Sequence, residues 1–177
     1  MIRPAGRMAA LLVLVAACER ARPAVTVTWT GADTGRLVAP AVAHWCPDRR
    51  LLEITAVQGD SGVALVAYPA ANWSSGTFPL FDPLTDSVRR PSAAVAVRWP
   101  VLDLIVGYRS IDGLAHLARS RGRISGSVVA RLLRSGSSVD TLTVELRLPP
   151  LTIDSSAAGC PPDSGRVSRG PDSPGIP

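Results

Sequence analysis

The two histidines of this chain are its most versatile candidates for catalysis, and 72 positions separate His44 from His116. Between them lies Gly59-Asp60-Ser61-Gly62, which supplies a serine and an acid. Serine hydrolysis needs a nucleophile, a base and an orienting carboxylate held together in space. Gly-Asp-Ser-Gly is also the composition that a hairpin turn requires. A hydrolase is therefore expected only if the fold brings one histidine to a serine or a carboxylate.

Metal ligands are sparse in this sequence. Zinc needs three or four ligands, and neither histidine has a further ligand at a suitable spacing. Asp82 and Asp86 could contribute to a calcium site, but calcium takes six or more oxygens. Short acidic side chains also cap turns. We therefore expect no metal and no cofactor, with Asp82 and Asp86 capping a turn.

Two surface features could make contacts with a partner. Arg119, Arg121 and Arg123 alternate within one predicted turn, which would concentrate positive charge there for a candidate anion contact such as a lipid phosphate or an acidic partner. Trp73 lies in an irregular segment with two phenylalanines, where it could stack on a sugar or a partner. The alternatives are a solvated turn for the arginines and an end plug of the fold for Trp73.

Residues 1–18 have the layout of a secretory signal. The first seven residues hold two arginines and no acid, nine apolar residues follow at 9–17, and a cysteine comes next. This order is typical of a cleaved signal peptide. The segment Val-Ala-Ala-Cys at 15–18 resembles the lipobox of bacterial lipoproteins, in which the cysteine is acylated and becomes the first mature residue. The resemblance covers residues 1–18 only and implies a signal peptide at 1–17 and lipidation at Cys18.

Two other interpretations of this segment stay open. One is a plain signal peptide, and the other is a transmembrane anchor, which needs about 20 apolar residues. For a lipoprotein, several acyl chains would give durable attachment, because each buried methylene contributes ~0.8 kcal/mol. Residues 18–23 then form the anchor and tether, with Arg20 and Arg22 near the headgroups. Glu19, instead of the aspartate that marks inner-membrane retention in such proteins, favours the outer membrane.

Two cysteines remain once Cys18 is assigned to lipid. In an oxidising envelope compartment, Cys46 and Cys160 are expected to form a disulfide. Such a bond joins the first loop of the domain to its last segment. Free buried thiols and a metal or redox site are the alternatives, although redox pairs usually lie close together in sequence.

Composition limits the class of partner. The chain has 19 Arg and no Lys, with 14 acids. Without the two arginines at 3 and 7, 17 basic residues face 14 acids, a net charge of +3. That excess is small for a nucleic-acid-binding surface. We therefore expect no nucleic-acid partner.

Alternation of apolar and polar residues with a period of two predicts strands. It is clearest where Leu142, Val144, Leu146 and Leu148 alternate with polar residues. We predict strands at 25–30, 51–56, 63–68, 95–99, 101–108, 113–118, 125–134 and 141–148. A helix over 110–121 is the one helical alternative, and 69–92 is predicted to be irregular.

These signals predict an all-β domain over 24–160. Seven to nine short antiparallel strands separated by Gly, Pro, Ser and Asp turns are typical of a single sandwich or barrel. The tail at 161–177 has too few apolar residues to bury, so we expect it to be disordered.

The functional expectation is a lipid-anchored protein of the bacterial cell envelope. The first hypothesis is a non-catalytic binding or structural module at the outer membrane, facing the periplasm or the cell surface, with an envelope protein or ligand as partner. The alternative is a barrel that carries a small apolar ligand. A filled interior at Leu52, Val128, Val144 and Leu146 would argue against a carrier.

Overall fold

The computed structural model describes residues 22–31, 34–71, 73–156 and 160, and these residues form an all-β structure without a helix. None of them therefore belongs to a helix able to cross a bilayer. The strands in chain order are β1 (Ala24–Gly31), β2 (Gly35–Cys46), β3 (Leu51–Gln58), β4 (Ser61–Tyr68), β5 (Ser75–Pro79), β6 (Ser92–Val101), β7 (Leu104–Ser120), β8 (Arg123–Arg134) and β9 (Thr141–Asp154). The predicted all-β class is confirmed.

Eight strands close into an antiparallel barrel. The ring order is β1-β2-β3-β4-β6-β7-β8-β9, and β9 pairs back onto β1. Beyond the start of the short β1, β2 and β9 meet directly in a brief parallel pairing. β5 is an additional strand on β7. Closure leaves no open edge along the ring, so of the two predicted architectures the barrel is the one that forms.

Side chains that point inward form one continuous core. Leu142, Val144, Leu146 and Leu148 are at most 5 % exposed, which confirms the predicted inner face of β9. Leu52 and Val128 belong to the same cluster and are 0 % and 1 % exposed. At these positions side chains occupy the barrel interior. Burial of this cluster is the main stabilising contribution to the fold.

β7 changes its partner along one edge. Its residues 104–109 pair with β6, and residues 114–118 pair with β5. Ser110 lies at the change and is fully buried. Its Oγ accepts a hydrogen bond from the Val95 amide at 3.1 Å and donates one to the Phe81 carbonyl at 2.7 Å. The Ser110 hydroxyl thus satisfies two backbone groups at the point where neither β6 nor β5 pairs with β7.

Several predicted segments are wrong in detail. The stretch at 69–92 contains β5, and the helical alternative at 110–121 is a strand because both of its edges are paired. The predicted strand at 101–108 is broken by a turn at Leu102 and Asp103. The alternation of apolar and polar residues does not predict β2, because its inward residues Ala39, Ala41 and Ala43 contrast only weakly in hydrophobicity with their neighbours.

The two ends of the barrel differ. We call the end at which β1 begins the proximal end; it also carries the β2–β3 and β7–β8 turns, residues 69–91 and the end of β9. The opposite end, with the β1–β2, β3–β4, β6–β7 and β8–β9 connections, is the distal end. The predicted disulfide is present at the proximal end, where Cys46 and Cys160 bond with their Cα atoms 5.7 Å apart.

Candidate functional site

An apolar hairpin tip stands at the distal end, formed by Val101, Leu102, Leu104 and Ile105 in the β6–β7 turn. These side chains are 42 %, 96 %, 68 % and 59 % exposed. Soluble monomers rarely expose contiguous aliphatic surface unless it binds something. We therefore take the apolar hairpin tip as the centre of the candidate site.

Leu102 occupies an unfavourable backbone conformation in this tip. Its φ is +54°, in the left-handed region that residues with a Cβ avoid. Glycine is the residue usually found where a two-residue hairpin turn needs positive φ. A leucine that is both strained and exposed has no role in the core, and such strain concentrates at functional sites.

Three stacked aromatic rings support the base of the hairpin. Trp99 on β6 stacks on Tyr108 of β7 with ring centroids 4.9 Å apart, and on Trp29 of β1 at 4.4 Å. The absence of a side chain at Gly35 makes room for Trp29, because a Cβ there would clash with the indole ring. The stack joins the hairpin to β1, so the tip projects from a rigid base.

An outer groove of about 500 Å³ lies along the same β6–β7 hairpin, and its lining reaches Arg98 and Gly107, three positions from Val101 and Leu104. Its floor consists of small residues on three neighbouring strands, Gly62, Ala64, Ala96 and Gly107, and the turn at Pro83 and Leu84 forms one wall. Leu84 itself is 75 % exposed. The β6–β7 hairpin thus carries a protruding apolar part at its tip and a recessed apolar part in the outer groove.

Two arginines border the outer groove in different electrostatic states. Arg109 donates a hydrogen bond through Nε to Asp82 Oδ1 at 2.8 Å, in a pair whose side chains are 17 % and 10 % exposed. Burial raises the pKa of Asp82, but hydrogen bonds from Arg109 and the Leu84 amide, with the charge of Arg109, hold that pKa below its ordinary value. Arg98 makes no ion pair with a described residue. It is the unneutralised cation of the groove.

The candidate aromatic contact, Trp73, lies at the proximal end. Its ring packs edge-on against Phe78 at 5.4 Å and partly against the core. Trp73 also lines a depression of about 340 Å³ with Trp45, Arg50 and Arg119. Trp73 therefore plugs one end of the barrel on one side and lines a depression that a ligand could enter on the other.

The structure divides the three candidate anion-binding arginines between two depressions. Arg119 lies over the Trp45 ring, with its guanidinium carbon 5.5 Å from the ring centroid. Arg121 and Arg123 line a separate depression of about 480 Å³ beside Pro150. All three lie at the proximal end, but they do not form one cluster.

The two histidines lie on separate elements. His44 Nδ1 is 3.7 Å from Asp154 Oδ2, too far for a hydrogen bond, and it is buried without a hydrogen-bond partner. His116 Nδ1 lies 3.0 Å from Thr77 Oγ1 across the β5–β7 ladder, and the side chain is exposed. Neither contact, among the described residues, includes the nucleophile, base and acid that a hydrolase needs.

Asp82 and Asp86 cap the turn at 82–86. Asp82 accepts a hydrogen bond from the Leu84 amide at 3.0 Å, and Asp86 accepts one from the Asp82 amide at 3.1 Å. No group of three or more potential ligands from His, Cys, Asp and Glu occurs in the described ranges. Cys18, the predicted signal peptide at 1–17, Arg20 and the tail at 161–177 lie outside the described residues.

Comparison with known proteins yields no match to a family model, to a curated protein or to a solved structure. The candidate site is therefore inferred from its geometry alone. Sequence reasoning missed the apolar hairpin tip because it assigned 101–108 to a buried strand. The signal was the loss of period-two alternation next to Pro100 and Asp103.

Proposed function

We propose that this protein is a lipoprotein of the bacterial cell envelope, anchored through acylated Cys18 after removal of residues 1–17. Its barrel acts as a non-catalytic binding module at the outer membrane, facing the periplasm or the cell surface. The partner, an envelope protein, contacts the apolar hairpin tip. The observation that carries the binding role is the nearly complete exposure of Leu102, 96 %, in a strained turn.

The position of the tip supports this role. β1 begins at the proximal end, so a lipid attached six residues before Ala24 enters from that side. The apolar hairpin tip stands at the opposite end, and this separation from the point where the chain enters the barrel supports contact with another protein. Aliphatic side chains at the centre of an interface contribute through desolvation when a partner covers them.

The carrier alternative has less support from this barrel. Leu52, Val128, Val144 and Leu146 are each at most 1 % exposed and touch within one core. A ligand inside the barrel would have to displace such side chains. A small apolar ligand would instead fit the outer groove of about 500 Å³, which opens to solvent.

The anchor is tested by the intact mass of protein extracted from membranes. We expect residues 1–17 to be absent and acyl mass to be present on Cys18. A Cys18→Ala variant should lose its tight membrane association. An unmodified full-length chain would contradict the lipoprotein assignment without bearing on the binding surface.

The binding surface is tested by site-specific photo-crosslinking in the native envelope. A photoreactive residue at position 102 should give one discrete adduct, because this side chain is the most exposed part of the apolar hairpin tip. The matched control is Val129, an aliphatic residue on the wall of β8 that is 52 % exposed. Absence of an adduct at 102, or the same adduct from both positions, would refute the proposal.

A further inference from the structure

Positive charge is concentrated at the proximal end of the barrel. Eight of the 14 described arginines lie there with only four acids, whereas the rest of the described chain has six arginines and six acids. The proximal arginines are Arg22, Arg49, Arg50, Arg89, Arg90, Arg119, Arg121 and Arg123, and the acids are Asp48, Asp82, Asp86 and Asp154. The barrel thus has one cationic end and one nearly neutral, apolar end.

Hydrogen bonds hold part of the backbone at the cationic end in place. Arg90 donates hydrogen bonds to the Arg49 carbonyl and the Arg50 carbonyl, both at 2.6 Å, and to the Pro69 carbonyl at 3.2 Å. These bonds join the segment before β6 to the β2–β3 turn. Because its acceptors are neutral carbonyls, Arg90 keeps its net charge while holding this turn in place.

Two depressions at this end each present a pair of arginines. Arg50 and Arg119 line the depression that holds Trp45 and Trp73, and Arg121 and Arg123 line the depression beside Pro150. Guanidinium groups form charge-assisted hydrogen bonds with phosphate oxygens. Tryptophan is enriched at the level of lipid headgroups, where its ring meets apolar chains and its N–H meets water.

The N-terminal segment leaves the barrel at this same end. Cys18 precedes Ala24 by six residues, a reach of at most about 20 Å even when fully extended. A lipid on Cys18 would therefore hold the proximal end near the membrane surface. Charge, aromatic residues and the chain entry point all coincide at one end.

We propose that the proximal end docks on anionic phospholipid headgroups, with phosphates in the two arginine-lined depressions, so that the apolar hairpin tip points away from the membrane. This proposal rests on the proposed anchoring at Cys18 and adds an orientation to it. An anionic lipid surface is favoured as the occupant because the charge surrounds the point at which the anchor enters.

The test uses the lipidated protein reconstituted in vesicles, with the four tryptophans as position markers. Trp45 and Trp73 mark the proximal end, and Trp29 and Trp99 mark the distal end. The variant with Trp29→Phe and Trp99→Phe should be quenched by a lipid that carries a headgroup spin label. The variant with Trp45→Phe and Trp73→Phe should be quenched much less. Equal quenching, or stronger quenching of the distal pair, would overturn the orientation.

The charge requirement is tested with matched double substitutions. Arg121→Gln with Arg123→Gln should reduce proximal quenching on phosphatidylglycerol vesicles, whereas Arg36→Gln with Arg147→Gln, exposed and away from the proximal end, should not. The difference should shrink in high salt, which screens charge, and on phosphatidylcholine. Equal effects of both pairs would contradict docking through the proximal end. Loss of the effect in excess inorganic phosphate would assign the depressions to a free anion instead.

Hydrogen exchange on the unsubstituted protein covers the case in which a tryptophan variant fails to fold. Anionic vesicles should slow exchange at the 47–50 and 121–122 turns but not at 102–103; the reverse pattern would overturn the proposal. If intact mass shows no acyl group, the anchor fails separately. The unacylated chain is then sedimented with anionic vesicles, where removing two proximal arginines should weaken binding roughly 25-fold. No loss would refute the docking surface as well.

Discussion

At the scale of single residues, Leu102 and Asp82 show how this surface is supported. Leu102 keeps a bulky side chain in a backbone conformation that favours glycine. Asp82 neutralises one arginine of the outer groove and caps the adjoining turn. The backbone strain at Leu102 lowers stability while its side chain stays exposed. The hydrogen bonds of Asp82 fix the turn that forms the wall of the groove.

Leu102→Gly should raise the free energy of unfolding by about 1 kcal/mol, because it relieves the positive-φ strain without removing core contacts. The same variant should weaken the partner binding that we propose for position 102. Urea denaturation measures the first effect, and affinity for the crosslinked partner measures the second. A destabilised Leu102→Gly variant would show that the leucine has a packing role instead.

Asp82 makes stability depend on acid pH. Because its pKa in the folded state lies below the ordinary value of 3.8, its contribution is present above about pH 4 and is lost as pH falls through the folded-state pKa. Asp82→Asn should flatten this acid limb and cost roughly 1.5–3 kcal/mol near neutral pH. Urea titrations across pH check both effects.

The control for Asp82 is Asp112→Asn, which breaks an exposed pair with Arg131 at 3.6 Å. Exposed pairs contribute about 0–1 kcal/mol. Similar losses from both variants would mean that the Asp82–Arg109 pair is no stronger than a surface pair.

At the scale of elements, a single buried hydroxyl lies where β7 changes from one partner strand to the other. β6 and β5 share one edge of β7, and neither supplies the ladder partner at Ser110. The Ser110 hydroxyl bridges the Val95 amide and the Phe81 carbonyl instead. The turn that walls the outer groove follows directly after Phe81.

Ser110→Ala should destabilise the protein by about 1–3 kcal/mol, since it leaves a buried donor and a buried acceptor unpaired. Ser127→Ala, at an exposed site on β8, should change stability by less than about 0.5 kcal/mol. Urea midpoints of the two variants give the comparison. Equal midpoints would mean that water replaces the Ser110 hydroxyl without loss.

At the scale of the whole molecule, the disulfide closes a long loop at the proximal end of the barrel. The Cys46–Cys160 bond spans 114 residues and ties the chain after β9 to the end of β2. It therefore constrains the unfolded state over almost the entire domain. The constraint lies at the proximal end, the end that we propose docks on the membrane.

Replacing both cysteines by serine should lower the free energy of unfolding by up to about 4.7 kcal/mol, the loop-entropy value for a closed loop of this size. Because this effect resides mainly in the unfolded chain, the folded barrel should keep its circular dichroism spectrum. Reduction of the unsubstituted protein should lower its urea midpoint as far as the double substitution does. An unchanged midpoint on reduction would contradict a stabilising role of the disulfide.

Much of the strand content could be predicted because it depends on residues that are close together in the sequence. Alternation in 141–148 fixed which side chains of β9 face inward, and Gly59 and Asp60 form the predicted turn between β3 and β4. The pairing of β5 with β7 and the break at Ser110 could not be predicted, because both depend on residues far apart in the chain.

The sequence by itself determined the all-β class, the inward faces of the clearest strands and the cysteine pair that could be joined, since alternation and residue type act over a few neighbours. Only the tertiary structure decided that the sheet closes, that Val101, Leu102, Leu104 and Ile105 protrude, and that the arginines gather at the opposite end. The physical reason is that closure depends on pairing between β1 and β9, which are separated by almost the whole chain. The same closure sorts the connections into two ends and so gives the molecule one apolar and one cationic end.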